Sequence, residues 1–592
     1  ARAADVEGVE YDYIVVGGGT AGCVLANRLT EQPETRVLML EAGTRAHKRL
    51  IVKSPVGLMK IFKSALDWNF QTAPSQALKG REVYICRGKM LGGSSCANVV
   101  LYNRGSAADY DAWAAECGDP TWNAENMLPY FKKAENCVSK ENTGVGKWHG
   151  AGGPQTVSDV PYQNKMSKAF LEAAVQAGGR ANKDFNDWSQ SQTGFGRYQV
   201  MEKGGKRSDA ASSYLDPVLG RPNLDVVTSA QATGVVLDSS KRATGVRFVD
   251  ADGVERTAKL ASNGEALLTL GAIGSPHLLM TSGVGPKEHL EERGVKVVQD
   301  LPGVGANLQD HPAVLVSCTA EGMPEAKGQS QSSRVKLGTS EKINPIALAQ
   351  FLMGKGPLTS PGCDHGGFVY SSLEEQPATP AKSADDQPDI QYRFLASKTI
   401  SPDGMSTIAD KFFQSKSKLA DGITIQTIAA RPHSRGQVRL ASANPLDKPI
   451  IEGGYLEDPR DVRSLVNGLK KAREILKQPA LAPFQREEEY PGADTTSDDE
   501  LEDYVRTTVH TANAVVGTCK LGKKSDEMAV VDNELKVVGL EGVRVCDSSV
   551  MPKLPGGQTA PSTLAIAEKA ADIIQRSMSP SRVTDPSSFQ TA

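Results

Sequence analysis

Two side chains suited to acid–base or anion-binding chemistry, His510 and Asn513, stand three residues apart in VHTANAVVGTCKLG (509–522). An imidazole exchanges a proton near neutral pH, and a carboxamide N–H₂ can donate a hydrogen bond to a carboxylate. If VRTTVHTAN (505–513) is helical, both side chains lie on one face of that helix. The stretch predicts either a general base or an anion site, and the choice depends on what the rest of the chain binds.

Three more candidate residues lie between positions 358 and 432. Cys363 stands in the glycine-rich stretch LTSPGCDHGGF, where little side-chain bulk screens it, although an inert buried thiol is the alternative. Arg393 lies among apolar residues in the strand-like DIQYRFL, and a buried guanidinium requires an anionic partner, either a ligand or a structural Asp or Glu. Gln426 falls on a second alternating strand, GITIQTIAARP.

A nucleotide-binding pattern occupies the other end of the chain. The apolar run YDYIVV (11–16) is typical of a buried parallel strand, and it leads directly into GGGTAG, which fits G-x-G-x-x-G. In this pattern Gly17 permits a tight turn, Gly19 lets the backbone approach a pyrophosphate, and Gly22 lets the next helix pack closely on the strand.

The residues after these glycines complete the nucleotide site. The helix that begins at Thr20 and Ala21 directs free N–H groups and a positive dipole end toward the phosphates. A second strand, RVLML, ends on Glu41, whose carboxylate can accept hydrogen bonds from a ribose and would repel a 2′-phosphate. The pattern alone does not separate NAD from FAD.

Three later segments identify the family. They are the glycine-serine loop RGKMLGGSSCANVVLYNRG (87–105), the helix start GAIGSPHLLMTSGVG (271–285) and the C-terminal strand–helix unit VRVCDSSVMPKLPGGQTAPSTLAIAEKAADII (543–574). With these and LPGVGANLQDHP (301–312), the sequence resembles the glucose–methanol–choline (GMC) family of FAD oxidoreductases over essentially the whole chain. The resemblance implies an α/β, Rossmann-like FAD-binding domain and an α+β substrate domain whose antiparallel sheet roofs the flavin.

The same resemblance implies the domain bounds and further cofactor contacts. The FAD-binding domain would be discontinuous, with segments 11–155, 215–315 and 516–578, and the substrate domain would comprise 156–214 and 316–515. We expect residues 579–592, which are polar and rich in Pro and Ser, to form a disordered tail. The implied FAD contacts, besides the first glycine motif and Glu41, are Gly92, Gly93, Ser94, Asn98, Ala232 (near the adenine), Asp547 (near the ribityl–phosphate end), Gln558 and Thr559.

The catalytic pair of the alcohol-oxidising members is missing. In the family a histidine just before the Gly-Thr turn removes the hydroxyl proton, and a His or Asn in the last strand–helix connection assists it. Aligned on Gly517-Thr518, these two positions hold Ala514 and Gln558, neither of which is a base near neutral pH. His510 lies too early in the chain to be relabelled as the missing base.

The site residues are similar to those of the algal fatty acid photodecarboxylase branch of the family. That resemblance implies that a blue-light-excited flavin removes an electron from a bound long-chain fatty carboxylate, which loses CO₂ and becomes an alkane or alkene. Asn513 would contact the carboxylate, with Arg393, Gln426, Cys363 and His510 around it. The branch has a tyrosine after the S-x-D-G turn, whereas SPDGMSTIADKFF (401–413) has Ile408 at the nearest position. A chloroplast location and possible peripheral association with plastid lipids are implied only by this resemblance.

A long acyl chain also requires an apolar channel. INPIALAQFLMGKGPLT (343–359) is apolar nearly all round, with Ile346, Leu348, Phe351, Leu352 and Met353. It could wall such a channel, but ordinary core packing is the simpler interpretation.

The composition excludes other classes of function. The 592 residues carry a net charge of −3, which gives no electrostatic reason to expect nucleic acid, and no apolar run is long enough to span a bilayer. The nine cysteines show no zinc-ligand spacing, so we predict no metal. Two alternatives to the photodecarboxylase remain: a GMC alcohol or aldehyde dehydrogenase or oxidase with His510 as base, and a non-catalytic blue-light flavoprotein.

Overall fold

The computed structural model describes residues 2–140, 146–336, 342–372, 386–404 and 421–578. The predicted tail and Ile408 lie outside these residues. No helix in the described part combines the length and the hydropathy needed to cross a bilayer.

A mixed seven-stranded sheet, the first sheet, contains the N-terminal motif. Its longest strand, Glu255–Leu268, pairs with two parallel neighbours, Glu10–Val16 and Val543–Val545. The other four strands are Val37–Glu41, Leu224–Thr228, Gln231–Leu237 and Ala243–Val249. The predicted strand 11–16 and the strand ending on Glu41 are thereby confirmed.

A second seven-stranded sheet is wholly antiparallel, as expected for the roof over the flavin. Its strands are Gly194–Arg197, Pro312–Thr319, His365–Val369, Ile390–Leu395, Gly422–Ala429, Glu487–Tyr490 and His510–Thr511. Together the two sheets confirm the predicted fold class, a Rossmann-like α/β unit with an α+β unit.

The strand register of the second sheet brings the candidate residues onto one face. Arg393 lies directly opposite Gln426, which lies opposite Leu315. Ala313, two residues before Leu315 and therefore on the same face, is opposite His510. Three strands distant in sequence thus present Arg393, Gln426 and His510 to the same side.

The opposite face of this sheet packs against helices. Tyr392 and Phe394 alternate with Arg393 and belong to a buried core with helices Lys165–Gln176, Pro459–Leu476 and Asp498–Thr508. The strand pleat therefore separates an apolar face that stabilises the fold from a polar face that borders a cavity.

Further helices surround the first sheet and the loops of the site. They are Thr20–Leu29, Leu50–Lys53, Ala107–Cys117, Ala124–Ala134, Gly271–Thr281, Lys287–Glu292, Gln331–Val335, Pro345–Leu352 and Thr559–Met578. The largest core cluster is built on the first sheet and includes Leu564, Ala567, Ala571 and Ile574, which share one face of the last helix.

Two local expectations are wrong. The segment 505–513 is not one helix, because the helix ends at Thr508 and His510–Thr511 pairs with Pro312 and Ala313 as a strand. Residues 343–359 are not core all round, because Ile346, Leu352 and Met353 are strongly exposed. The domain bounds stay a proposal; the bound between 315 and 316 falls inside strand Pro312–Thr319.

Candidate active site

A long cavity runs along the carboxyl ends of the parallel strands in the first sheet. It encloses about 1510 Å³ of empty space, counting its open mouth. The predicted cofactor residues that line it are Gly17, Gly19, Thr20, Ala21, Glu41, Gly93, Ser94, Asn98, Ala232, Asp547 and Thr559. This placement, at the end of parallel strands and at a helix N-terminus, is where open α/β sheets bind nucleotides.

The first glycine motif has the geometry that a pyrophosphate requires. Gly17 has φ +104°, and a side chain there would approach the carbonyl oxygen of Thr269 to 2.7 Å. Gly19 is the N-cap of helix Thr20–Leu29 and offers no side chain to the first N–H groups. A side chain at Gly22 would collide with the Gly17 carbonyl, so its role in close packing is as expected.

Two buried carboxylates hold the loops around this cavity. Glu41 accepts from the backbone N–H groups of Gly18 at 2.9 Å and Gly43 at 2.7 Å. Asp547 accepts from the Gly271 N–H at 2.8 Å and from the hydroxyl of Ser275 at 2.6 Å. Burial raises the pKa of both carboxyls, and these hydrogen bonds oppose the rise. The described residues therefore fit a dinucleotide-type cofactor.

Three predicted cofactor residues lie off the wall of this cavity. Gly22 packs helix on strand, and Gly92, with φ +90°, donates its N–H to the Gly18 carbonyl at 2.8 Å. Gln558 faces a second cavity instead.

The second cavity adjoins the first and lies under the polar face of the second sheet. It encloses about 1720 Å³, counting its mouth, and shares Asn98, Asn513, Thr559 and Ala560 with the first cavity. Most of the wall is apolar; its apolar side chains include Val56, Leu58, Met59, Phe62, Val99, Val100, Leu101, Leu315, Val335, Leu395 and Ile400. A ligand here can therefore have a long apolar part and a polar end near the first cavity.

Arg393 is buried in the wall of the second cavity. Among the described residues it forms no hydrogen bond and no ion pair, and its Nε is buried with no acceptor. Desolvation lowers the pKa of the guanidinium, although the group stays cationic because Arg begins near 12.5. No Asp or Glu is among the described residues that line the cavity, so the structural ion pair weighed from the sequence is absent there.

His510 and Gln426 form a buried pair beside Arg393. Gln426 Nε2 lies 2.9 Å from His510 Nε2, and His510 Nδ1 lies 3.4 Å from the carbonyl oxygen of Thr508. Burial lowers the pKa of His510 to about 4. The imidazole is therefore neutral at neutral pH and is a weak base.

Asn513 lies where the two cavities meet. Its backbone is left-handed, with φ +61°, and its Oδ1 accepts from the Cys86 N–H at 2.9 Å. Arg87 donates to its backbone carbonyl. Because the carboxamide oxygen is held by an N–H group, Nδ2 is left to donate, and it has no acceptor among the described residues.

Cys363 lines the second cavity within a small apolar cluster that includes Val100, Val200 and Phe368. Burial raises the pKa of its thiol to about 12, and the nearby Arg393 opposes the rise. The thiol is therefore protonated at neutral pH, unlike an activated nucleophilic cysteine.

Ala514 and Gln558 both line the second cavity. Ala514 donates its N–H to Asp310 at 2.7 Å. Gln558 Nε2 donates to Gln391 Oε1 at 3.1 Å, while Gln558 Oε1 and Gln391 Nε2 are buried without partners among the described residues. Sequence reasoning missed Gln391, although its place two residues before Arg393 on an alternating strand put it on the same face.

One group of metal-ligand residue types lies away from both cavities. Glu135, Cys137 and His149 bring possible ligand atoms within 4.8 Å of one another. His149 Nδ1 lies 2.7 Å from Glu135 and Nε2 lies 3.0 Å from Asp184, which raises the pKa of His149 to about 11. Since both nitrogens are engaged, this group is a buried charge network.

Comparison with known proteins agrees with this architecture. Two family profiles, both described as GMC oxidoreductase, match residues 11–313 and 432–567. The chain is 42% identical over 584 residues to the chloroplastic fatty acid photodecarboxylase of Chlamydomonas reinhardtii, covering 97% of this chain and 92% of the relative. It is 40% identical to an alcohol dehydrogenase [acceptor] of Pseudomonas putida, covering 96% of each, and 38% identical to mitochondrial choline dehydrogenase of Mus musculus, covering 96% and 89%.

A solved structure has the same architecture. Pyridoxine 4-oxidase from "Mesorbium loti" superposes with a TM-score of 0.80 at 27% identity, covering 96% of this chain and 99% of the other. The matched profiles together span most of the chain, and the relatives match nearly end to end. The chain belongs to the GMC oxidoreductase family, and its cofactor is FAD.

Proposed function

We propose that the protein decarboxylates free fatty acids in blue light, converting each acid to CO₂ and a hydrocarbon one carbon shorter. The observation that carries this proposal is the buried Arg393, which has no partner among the described residues and lies in an apolar cavity that adjoins the FAD cavity. A buried cation needs an anion, and a fatty carboxylate supplies the anion together with an apolar tail. FAD, when bound, supplies the absorption of blue light and the acceptor for one electron.

The residues of this chain act on the carboxylate end. Arg393 binds and neutralises the carboxylate, and Asn513 donates a hydrogen bond through Nδ2 at the junction of the cavities. The neutral, hydrogen-bonded pair Gln426 and His510 lies in the same wall of the second cavity, and Cys363 adds an uncharged thiol to that wall. The electron taken from the carboxylate returns with one proton to the alkyl group, so conversion of RCOOH to RH and CO₂ needs no external oxidant.

The vacated base positions also support this proposal. An alcohol must lose its hydroxyl proton as hydride leaves, whereas a fatty acid is already ionised at neutral pH. Ala514 and Gln558 cannot remove that hydroxyl proton. Oxidation of a carboxylate does not require a base at either position.

A choline-like substrate fits the cavity poorly. Arg393 lines it with no partner among the described residues, and no acidic side chain is among its described lining residues. Quaternary ammonium ligands are bound by several aromatic or anionic groups, whereas this wall offers a cation and, among its described lining residues, the single phenyl ring of Phe62. An alcohol or aldehyde dehydrogenase remains the second candidate, since His510 lines the cavity and an alcohol dehydrogenase is among the relatives.

A chloroplast location is part of the first proposal because the algal relative is chloroplastic.

The test is incubation of the purified holoprotein with palmitate under blue light and in darkness, with analysis for pentadecane and CO₂. Pentadecane formed only in the light supports the proposal. No pentadecane in either condition, with FAD bound, contradicts it. Bleaching of the flavin in the dark by an alcohol, lost in His510→Gln, would instead identify the dehydrogenase. Intact flavin with neither reaction would identify a non-catalytic flavoprotein.

A further inference from the structure

Arg207 is a buried cation directly behind the wall of the first cavity. The residue is 2% exposed, and its Nη1 donates to Asn98 Oδ1 at 2.6 Å and to the Ser95 carbonyl at 3.1 Å. Ser95 and Asn98 both line the first cavity. Nε donates to the Val52 carbonyl at 3.0 Å. Every acceptor that the described residues offer this guanidinium is therefore uncharged.

A glutamate faces Arg207 without pairing with it. Strand Glu202–Lys203 is antiparallel to strand Lys206–Arg207, and Glu202 lies directly opposite Arg207. Opposite charges in this register attract each other, yet both carboxyl oxygens of Glu202 and Nη2 of Arg207 are buried without a partner among the described residues. A buried carboxylate without a hydrogen bond would be strongly destabilising, so Glu202 is a neutral carboxylic acid. Burial, with a contribution from Asp364, raises the pKa of Glu202 well above its ordinary value, and Arg207 opposes the rise.

Asp209, a second acidic residue near Arg207, already has a cationic partner. Its carboxylate lies 2.7 Å from Lys53 Nζ, so these two charges offset each other. Desolvation lowers the pKa of Arg207, but an arginine begins near 12.5 and the group stays cationic. The described residues thus leave one positive charge unbalanced behind Ser95 and Asn98.

We propose that Arg207 raises the reduction potential of bound FAD, and that Glu202 leaves the charge of Arg207 unbalanced by remaining protonated. Asn98 lines both cavities, and the redox-active end of the cofactor and the substrate must meet where the cavities join. A flavin gains negative charge on reduction, and a cation in a low-dielectric wall stabilises the more negative form. Since Asn98 Oδ1 accepts from the guanidinium, the same charge polarises its Nδ2 as a donor. The proposal rests on FAD binding alone and holds whichever substrate the second cavity binds.

The test is the midpoint potential of the purified holoprotein in the dark, measured by reductive titration against a dye of known potential. Arg207→Gln removes the charge and keeps a donor for Asn98. It should lower the potential by at least about 30 mV, which is tenfold in the two-electron equilibrium constant. Arg207→Lys keeps the charge and should recover most of that loss. Two controls should match wild type: Glu202→Gln, which replaces one neutral group by another, and Lys203→Gln, which removes a solvent-exposed cation from the same pair of strands.

Three results for these potentials would overturn the proposal. An unchanged potential in Arg207→Gln would limit Arg207 to holding the loop of Ser95 and Asn98. An equal fall in Arg207→Gln and Arg207→Lys would assign the effect to hydrogen-bond geometry instead of charge. A higher potential in Glu202→Gln would mean that wild-type Glu202 is ionised and offsets Arg207.

A second measurement covers the case in which Arg207→Gln does not retain FAD. Infrared difference spectra of wild type against Glu202→Gln report the protonation state of the buried carboxyl directly. The carbonyl band of a protonated carboxylic acid supports the proposal, and a carboxylate band in its place overturns it.

Discussion

Gln426 Nε2 and His510 Nε2 lie 2.9 Å apart, although the residues are 84 positions apart in the chain. Both strands pair with Pro312–Thr319, which brings the two side chains together on one face. His510 Nδ1 faces the Thr508 carbonyl, so the proton of the neutral ring is placed on Nδ1 and Nε2 accepts from the Gln426 amide. If His510 acted as a base, Nε2 would have to take up the proton, but its lone pair already accepts the hydrogen bond from Gln426.

His510 should give no pH dependence to catalysis near neutrality. Its pKa is lowered to about 4, so the ring stays neutral from about pH 6 to 8, where palmitate is ionised. Light-driven pentadecane formation should be flat over that range in wild type. A rate limb near pH 6.5 that disappears in His510→Gln would contradict this and favour a catalytic base.

Arg393→Met should weaken fatty acid binding while FAD stays bound. It removes the only cationic group of the wall without a protein partner among the described residues and keeps much of the side-chain volume. A charge-assisted hydrogen bond contributes about 1.5–3 kcal/mol, so KM for palmitate should rise about 10- to 100-fold. Arg393→Lys should recover part of this, and the flavin spectrum should match wild type in both. An unchanged KM in Arg393→Met would show that the carboxylate binds elsewhere.

Asn513 can be tested with a pair of variants that separates its backbone from its side chain. Asn513→Gly keeps the left-handed φ of +61° and removes the amide, whereas Asn513→Ala also strains the turn. Both should lose about tenfold in photodecarboxylation if Nδ2 contacts the carboxylate. Both also lose the hydrogen bond from the Cys86 N–H, and Asn513→Ala should lose further stability through backbone strain. Full activity in Asn513→Gly would limit the residue to a structural role.

Glu202 should make the folded state less stable as pH rises. Its carboxyl is fully buried with both oxygens lacking partners among the described residues, and burial raises its pKa well above the ordinary value. The folded state thus binds a proton that the unfolded chain releases above about pH 4.3, so this stabilisation declines with rising pH by up to about 1.4 kcal/mol per unit. Glu202→Gln carries no such titrating carboxyl, so its unfolding free energy should increasingly exceed that of wild type as pH rises above about 4.3.

Denaturant unfolding at several pH values measures this effect. Glu255→Gln, at an exposed glutamate, serves as the matched control and should follow wild type. A constant difference between Glu202→Gln and wild type across pH would mean that Glu202 is ionised in the folded protein.

The nucleotide motif could be predicted from sequence because its geometry is local. Gly17, Gly19 and Gly22 act on a turn and helix only a few residues away, and the neighbouring strand that ends at Glu41 follows within one βαβ unit. The placement of Arg393 and Gln426 on strands could also be predicted from the alternation of polar and apolar residues. Family membership followed from several such local segments in a characteristic order.

Tertiary structure decided the features that depend on distant residues. The helix expected over 505–513 ends at Thr508 because the backbone of His510–Thr511 pairs with a strand almost 200 residues earlier. Arg393 has no anionic partner in the part of the chain that the structure describes, and Ile346, Leu352 and Met353 face outward; both features depend on which chain segments pack nearby. The sequence by itself thus determined the nucleotide motif through local spacing, and it indicated FAD and the missing catalytic base through its resemblance to the GMC family. Only the folded chain decided which charges stay unpaired and which apolar side chains stay uncovered, because pairing and burial are set by contacts distant in sequence.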